Sequence, residues 1–125
     1  MRILKKGSAK PLDSVGASRR ELQGFPDAAR HAAGRNLRRV QRGFAPDDSK
    51  PMEIVGPGAA EIRVHTFTGG VVQHRVVYVA KFPEAVYVLH AFEKKTEKTP
   101  PHHLAVAERR YREMIRKRAN REEYP

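Results

Sequence analysis

Three runs in the second half of the chain constrain the fold most: "AEIRVHTF" (Ala60 to Phe67), "VVQHRVVYVAKF" (Val71 to Phe82) and "AVYVLHAF" (Ala85 to Phe92). Each is rich in β-branched and aromatic residues and each is bounded by turn residues, the pattern of strands. "TGG" (Thr68 to Gly70) separates the first pair and "PE" (Pro83, Glu84) the second. Connections this short join antiparallel neighbours, so the three runs read as a meander. "MEIV" (Met52 to Val55) reads as a further short strand, ended by "GPG".

Helical signals flank the meander. "SRRE" has the capping-box form, with Ser18 as N-cap and Glu21 at N3. Phe25-Pro26 interrupts that first helix, and Pro26 suits the start of a second, running from about Asp27 to Arg42. There Ala29, Ala33, Leu37 and Val40 recur at helical spacing among five arginines, and Gly43 supplies a stop. After the strands, Thr99 caps a final helix with Pro100 at N1 and an apolar stripe of Leu104, Ala107, Tyr111 and Ile115. "RIL" near the N-terminus reads as an edge strand. The fold class is α+β: an N-terminal helical hairpin packed on a small twisted antiparallel sheet, with a C-terminal helix. Residues 1–125 form one domain, with 1–16 and 118–125 peripheral and the tail beyond Lys117 frayed.

Charge narrows the function. The 125 residues carry 25 Lys+Arg against 14 Asp+Glu, a formal net charge of +11. Such a surface concentrates polyanions, with nucleic acid as the first candidate partner. The basic segments have no wide apolar face for a membrane surface, and no run reaches the ~18 apolar residues of a spanning helix. Cysteine is absent, which excludes disulfides, thiolate metal sites and cysteine nucleophiles. No secretion signal is read, and the reading is cytoplasmic.

Two arginines stand in the strands. Arg63 alternates with Glu61 and His65 on a charged face, and Arg75 interrupts an apolar run. Such a face is either half exposed to solvent or part of a site. Hairpin register decides whether the arginines meet. A two-residue turn at Gly69-Gly70 pairs Arg63 with Val76 and sets the arginines on opposite faces. A three-residue turn, or an equivalent bulge, sets Arg63 opposite Arg75, and Gly70 can supply its αL residue. The latter is expected. Facing arginines repel by ~0.2–1 kcal/mol, which an anion bridging them would offset. If Pro83-Glu84 is a two-residue turn, Arg75 pairs with Phe92. The lysines of "EKKTEKT" (Glu93 to Thr99) then emerge beside it. Guanidinium forks grip phosphate oxygens and meet charge developing on phosphorus.

These residues resemble a known family. "FPDAARHAAGRNLRRVQRG", "KPMEIVGPGAAEIRVH", "HRVVYVAKFPEAVYVLHAFEKKTEKTP" and "AVAERRYREMI" look like the HigB-like, phage-derived-protein branch of the RelE/ParE toxin superfamily. The likeness runs in order from Ser18 to Ile115. It implies a RelE-like fold and a type II toxin–antitoxin toxin, a ribosome-dependent mRNA endonuclease. Such enzymes cut by 2′-hydroxyl attack on the adjacent phosphate, with neither metal nor cofactor. It also implies a cognate antitoxin, in this branch usually one with a helix-turn-helix domain, and the ribosome and mRNA as partners. Carried over by position, Arg63 and Arg75 bind phosphate and stabilise the transition state. Lys94 or Lys95 aids charge or proton transfer, and Tyr78 is a proton donor. Arg38, Arg39 and Lys98 are candidate nucleic-acid contacts. The histidine–aspartate pair that some HigB toxins carry near the last strand is replaced here by "FEKK". His90 reads as a core histidine, and His102-His103 carries no metal-ligand spacing. Two other readings stand beside the nuclease: a non-nuclease toxin of the same fold, in the manner of ParE gyrase poisons, and a non-catalytic basic nucleic-acid-binding module.

Overall fold

A computed structural model describes residues 9–66 and 72–123. The chain runs β1 (Leu12–Ser14), α1 (Ser18–Gln23), α2 (Asp27–Gln41), β2 (Ser49–Pro51), β3 (Ala59–Val64), β4 (Gln73–Val79), β5 (Val86–Lys94) and α3 (Pro101–Glu123). The α+β class holds, with helices first, sheet next and a closing helix. Among the described residues no helix is long and apolar enough to cross a membrane.

The five strands lie in the order β1-β5-β4-β3-β2. β3, β4 and β5 form the expected meander, but β1 pairs with β5 in parallel, so the sheet is mixed. The N-terminal strand is Leu12–Ser14, and "RIL" lies outside the described residues. "MEIV" is a turn: Val55 N–H donates to Met52 O, and both side chains enter the core. The strand is the preceding Ser49–Pro51, antiparallel to β3.

Two apolar layers sandwich the sheet. α2 presents Ala29, Ala33, Leu37 and Val40 to one face, against Ile62, Val64, Val76, Val86 and Val88. α3 covers the other face, against Val77, Val79, Tyr87, Leu89 and Phe92. Its stripe uses Ala107, Tyr111 and Met114, while Ile115 is 40% exposed. α3 also continues past Lys117 instead of fraying. Arg118 pairs with Glu84 at 2.5 Å and lies over the Phe82 ring at 3.5 Å, and Arg121 reaches Asp13 at 3.1 Å. α2 stops as its sequence asks, with Gly43 at φ +87° and its N–H bonded to Val40 O.

Beyond Ser14 the edge of β5 is free, and α1 takes it over. Ser18 is no N-cap: its hydroxyl donates to Val88 O at 2.9 Å. Nor does Glu21 close a capping box. Its carboxylate accepts the Ala91 N–H at 3.2 Å. Side chains thus satisfy backbone groups that an unpaired strand edge would leave open.

One irregularity sets the faces of β5. Near the turn Val79 pairs with Tyr87 and Tyr78 with Val88, but Val77 pairs with His90, which leaves Leu89 as an extra residue. A two-residue turn at Pro83-Glu84 would pair Val79 with Val88, so the register there differs by one from expectation. The bulge restores it, and Arg75 faces Phe92 as expected. Side-chain parity inverts across such a bulge. His90, Phe92 and Lys94 therefore share the α3 face with Leu89 and Tyr87, rather than following Val88 onto the α2 face.

Candidate active site

Arg63 is paired with Arg75 across β3 and β4, and Gln73 with Lys94 across β4 and β5. The first pairing is the register a three-residue turn requires. The turn itself (Thr68 to Gly70) lies outside the described residues. All four residues, with Glu61 two places before Arg63, stand on the α3 face at one end of the sheet. The charged face of β3 is therefore covered, not half exposed.

Glu61 is the buried centre, with 0% exposure. Arg75 Nε lies 3.2 Å and Lys94 Nζ 3.9 Å from its Oε1, while the Thr99 hydroxyl donates to Oε2 at 3.0 Å. Thr99, expected as a helix cap, instead ties the approach to α3 onto the sheet. The Arg75 contact is an ion pair off the hydrogen-bonding angle: Glu61 Oε1 and Arg75 Nε are buried with no hydrogen-bond partner. The rest of the Arg75 guanidinium is held by its own strand, donating from Nη1 to His74 O at 3.1 Å and from Nη2 to Gln73 Oε1. Lys94 Nζ donates to Glu97 O at 2.5 Å.

The cations divide into two layers. Arg75 and Lys94 are buried, 8% and 4% exposed. Burial pushes both below their ordinary pKa values, Glu61 pushes back, and neighbouring cations add to the lowering. The Arg63 side chain is 40% exposed, with Asp48 Oδ1 3.7 Å from its Nη1. Lys95 and Lys98 are fully at the surface, and Lys50, in register with Glu61, is half-buried. Four cations (Lys50, Arg63, Arg75, Lys94) thus surround two carboxylates (Glu61, Asp48).

Other expected site residues stand elsewhere. Tyr78 is on the α2 face, 7% exposed and packed with Ile62 and Val76. Burial pushes its phenol up, against a Ser49 hydrogen bond. It cannot share a substrate with Arg75, which points through the opposite face. Arg38 and Arg39 are exposed on α2, across the sheet from the cluster, and Arg39 Nε donates to Ala45 O at 2.9 Å.

A second cluster escaped the sequence reading. Glu21 Oε1 lies 2.9 Å from His90 Nδ1 and 2.7 Å from Arg110 Nη1, and Oε2 lies 3.0 Å from Arg110 Nη2. Arg110 Nη1 also donates to the bulged Leu89 O at 3.0 Å. His90 Nε2 lies 2.8 Å from His103 Nδ1. Burial pushes Glu21 up, but the His90 and Arg110 hydrogen bonds prevail and hold it at about 2. The partners come from α1, β5 and α3, so no local spacing could reveal them.

With this geometry in view, comparison with known proteins places the chain. A model of the phage-derived Gp49-like family (DUF891) matches residues 20–112, about three quarters of the sequence. The chain belongs to that family. The membership expected from the motifs, in the HigB-like phage-derived branch of the RelE/ParE superfamily, holds. Among solved structures, an arginine-to-alanine double mutant of the E. coli toxin RelE in the free state is similar. Its TM-score is 0.51 at 18% identity, covering 66% of this chain and 81% of that one. At that identity the likeness establishes the RelE-like fold alone. No curated protein matches.

Proposed function

We propose that this Gp49-like protein is the toxin of a type II toxin–antitoxin pair and a metal-independent endoribonuclease acting on ribosome-bound mRNA. The observation that carries this reading is the cross-strand Arg63–Arg75 pair, with Lys94 on the same face and more cations than carboxylates around it. Like charges set opposite each other destabilise a sheet, and a bridging phosphodiester reverses the sign of that interaction. The exposed layer makes contact: Arg63 grips the non-bridging oxygens, with Lys95 beside it. The buried layer, Arg75 and Lys94, adds a fixed positive field, which is most effective where water is excluded. The 2′-hydroxyl oxygen attacks phosphorus in line, the bond to the 5′ oxygen breaks, and a 2′,3′-cyclic phosphate remains.

Cytoplasmic action on the ribosome and neutralisation by an antitoxin, usually one with a helix-turn-helix domain, belong to the same proposal. Arg38, Arg39 and Lys98 would meet ribosomal RNA. The test is inducible expression in bacteria with mapping of new mRNA 5′ ends, for wild type and for Arg63→Ala. Growth arrest with ribosome-phased cuts that Arg63→Ala abolishes is the expected result. Arrest without such cuts would reject the nuclease in favour of a poison of another target.

A further inference from the structure

The Glu21–His90–His103 chain has an orientation that its hydrogen bonds dictate. A carboxylate only accepts, so His90 Nδ1 carries the proton shared with Glu21 Oε1 at 2.9 Å. In the neutral ring His90 Nε2 must then accept, so the 2.8 Å bond to His103 is donated by His103 Nδ1. His103 Nε2 is left with its lone pair, and among the described residues it has no hydrogen-bond partner. This is the arrangement in which a carboxylate fixes the tautomer of an imidazole base, lengthened by one ring.

The ring also lies close to the phosphate cluster. His103 stacks on Phe92 at 4.2 Å between centroids, and Phe92 is the cross-strand partner of Arg75. Thr99, one helical turn before His103, holds Glu61 at 3.0 Å. The His103 side borders a shallow hollow of about 470 Å³ whose walls include Arg20, Glu21, His90, Phe92 and Glu93. The ring is partly exposed. A nucleotide whose phosphate sits on Arg63 has room to reach it.

We propose that His103 is the general base that takes the proton of the 2′-hydroxyl, with His90 and Glu21 as positioning residues behind it; this rests on the nuclease reading above. The proton moves from O2′ to His103 Nε2 as the O2′–P bond forms. The P–O5′ bond breaks, and the departing 5′ oxygen takes a proton from water, whose hydroxide then recovers the one on His103. Burial, with His90 and His102 adding to it and Glu21 opposing, holds the ring at about 4, so it is a free base at neutral pH. A phosphodiester bound alongside raises that value, which strengthens the base when substrate is present. The charged or titratable groups facing it are Glu21 and Arg20 from α1, His90 and Glu93 from β5, and His102 and Arg110 from α3.

The test is single-turnover cleavage at pH 7 of mRNA on programmed ribosomes by the purified full chain. His103→Gln should cut about 10²–10⁴-fold more slowly with an unchanged urea midpoint. His103→Ala should regain rate as added imidazole fills the vacated place, in proportion to the neutral imidazole. His103→Gln cutting within about threefold of wild type would overturn the role, as would loss in both variants with no imidazole response. Wild type that arrests growth yet cuts no mRNA would remove the nuclease reading and this role together. Wild type and His103→Gln cutting alike removes the role alone.

Discussion

The protein buries two carboxylates next to arginine, and treats them differently. Glu21 is saturated: His90, the Ala91 N–H and both terminal nitrogens of Arg110 all donate to it. Glu61 is buried more deeply, yet one of its oxygens and the Arg75 nitrogen facing it lack hydrogen bonds. The first cluster is balanced internally and locks α1, β5 and α3 together. The second carries more cations than its carboxylates satisfy, and its outer layer faces solvent. Buried polar networks rigidify when every member is satisfied, and a shortfall calls for an explanation in function. An external anion is the partner that the second cluster lacks.

Breaking each centre sharpens that contrast. The largest effect is expected from Glu61→Gln, which leaves Arg75 and Lys94 buried without a counter-charge. Stability should fall by about 3–5 kcal/mol in urea denaturation. Next comes the pH dependence of Glu21, whose carboxyl is lowered from 4.5 to about 2. A depressed carboxylate stabilises the fold above its unfolded pKa, and that stability is lost as pH falls from about 4.5 towards 2. The shift corresponds to up to about 3 kcal/mol. Wild type should lose this much over that window, and Glu21→Gln should lack that component. An identical pH profile for the two would show that the network is not saturated as described.

Arg63→Ala should act in the opposite manner, on function and not on folding. Cleavage should drop by about 10²–10³-fold, as for one removed oxyanion donor. The urea midpoint should move by no more than about 0.5 kcal/mol, because the side chain is partly exposed. Equal losses of stability and activity would erase the distinction between the layers. The smallest effect belongs to the far side of the sheet. Removing Arg38 and Arg39 together should flatten the salt dependence of ribosome binding by about 1.4 logarithmic units per decade of salt, if both meet RNA backbone. An unchanged slope would assign them to solvent.

Much of the first centre was legible in the sequence because strand pairing transmits position. Once Arg63 was placed opposite Arg75, the partners of both followed from counting along the meander. Phe92 came out opposite Arg75 for an incomplete reason: the turn at Pro83-Glu84 differs by a residue and the bulge at Leu89 compensates. Tyr78 was misplaced because it is three residues from Arg75, and an odd separation in a regular strand changes face. Ser18 and Glu21 looked like a helix cap because local spacing favours it. The free edge of β5, invisible without tertiary structure, claimed both side chains. The Glu21–Arg110 pair spans most of the chain, and no periodicity reports a contact at that distance. Met114 replaced Ile115 in the core through helix phase, which a single turn of pattern does not determine.

The extra residue at Leu89 makes the chain unequally tolerant of gaps. A residue added to or removed from the exposed stretch 95–98 changes only the reach of a surface segment. A single deletion between Val86 and Phe92 would turn Phe92 and Lys94 over to the α2 face and leave Arg110 without the carbonyl it holds. Length variation in relatives should therefore collect after Lys94. A relative shortened by one residue within β5 should have lost the whole cationic end of the sheet as a unit, even with every lysine and arginine still present in its sequence.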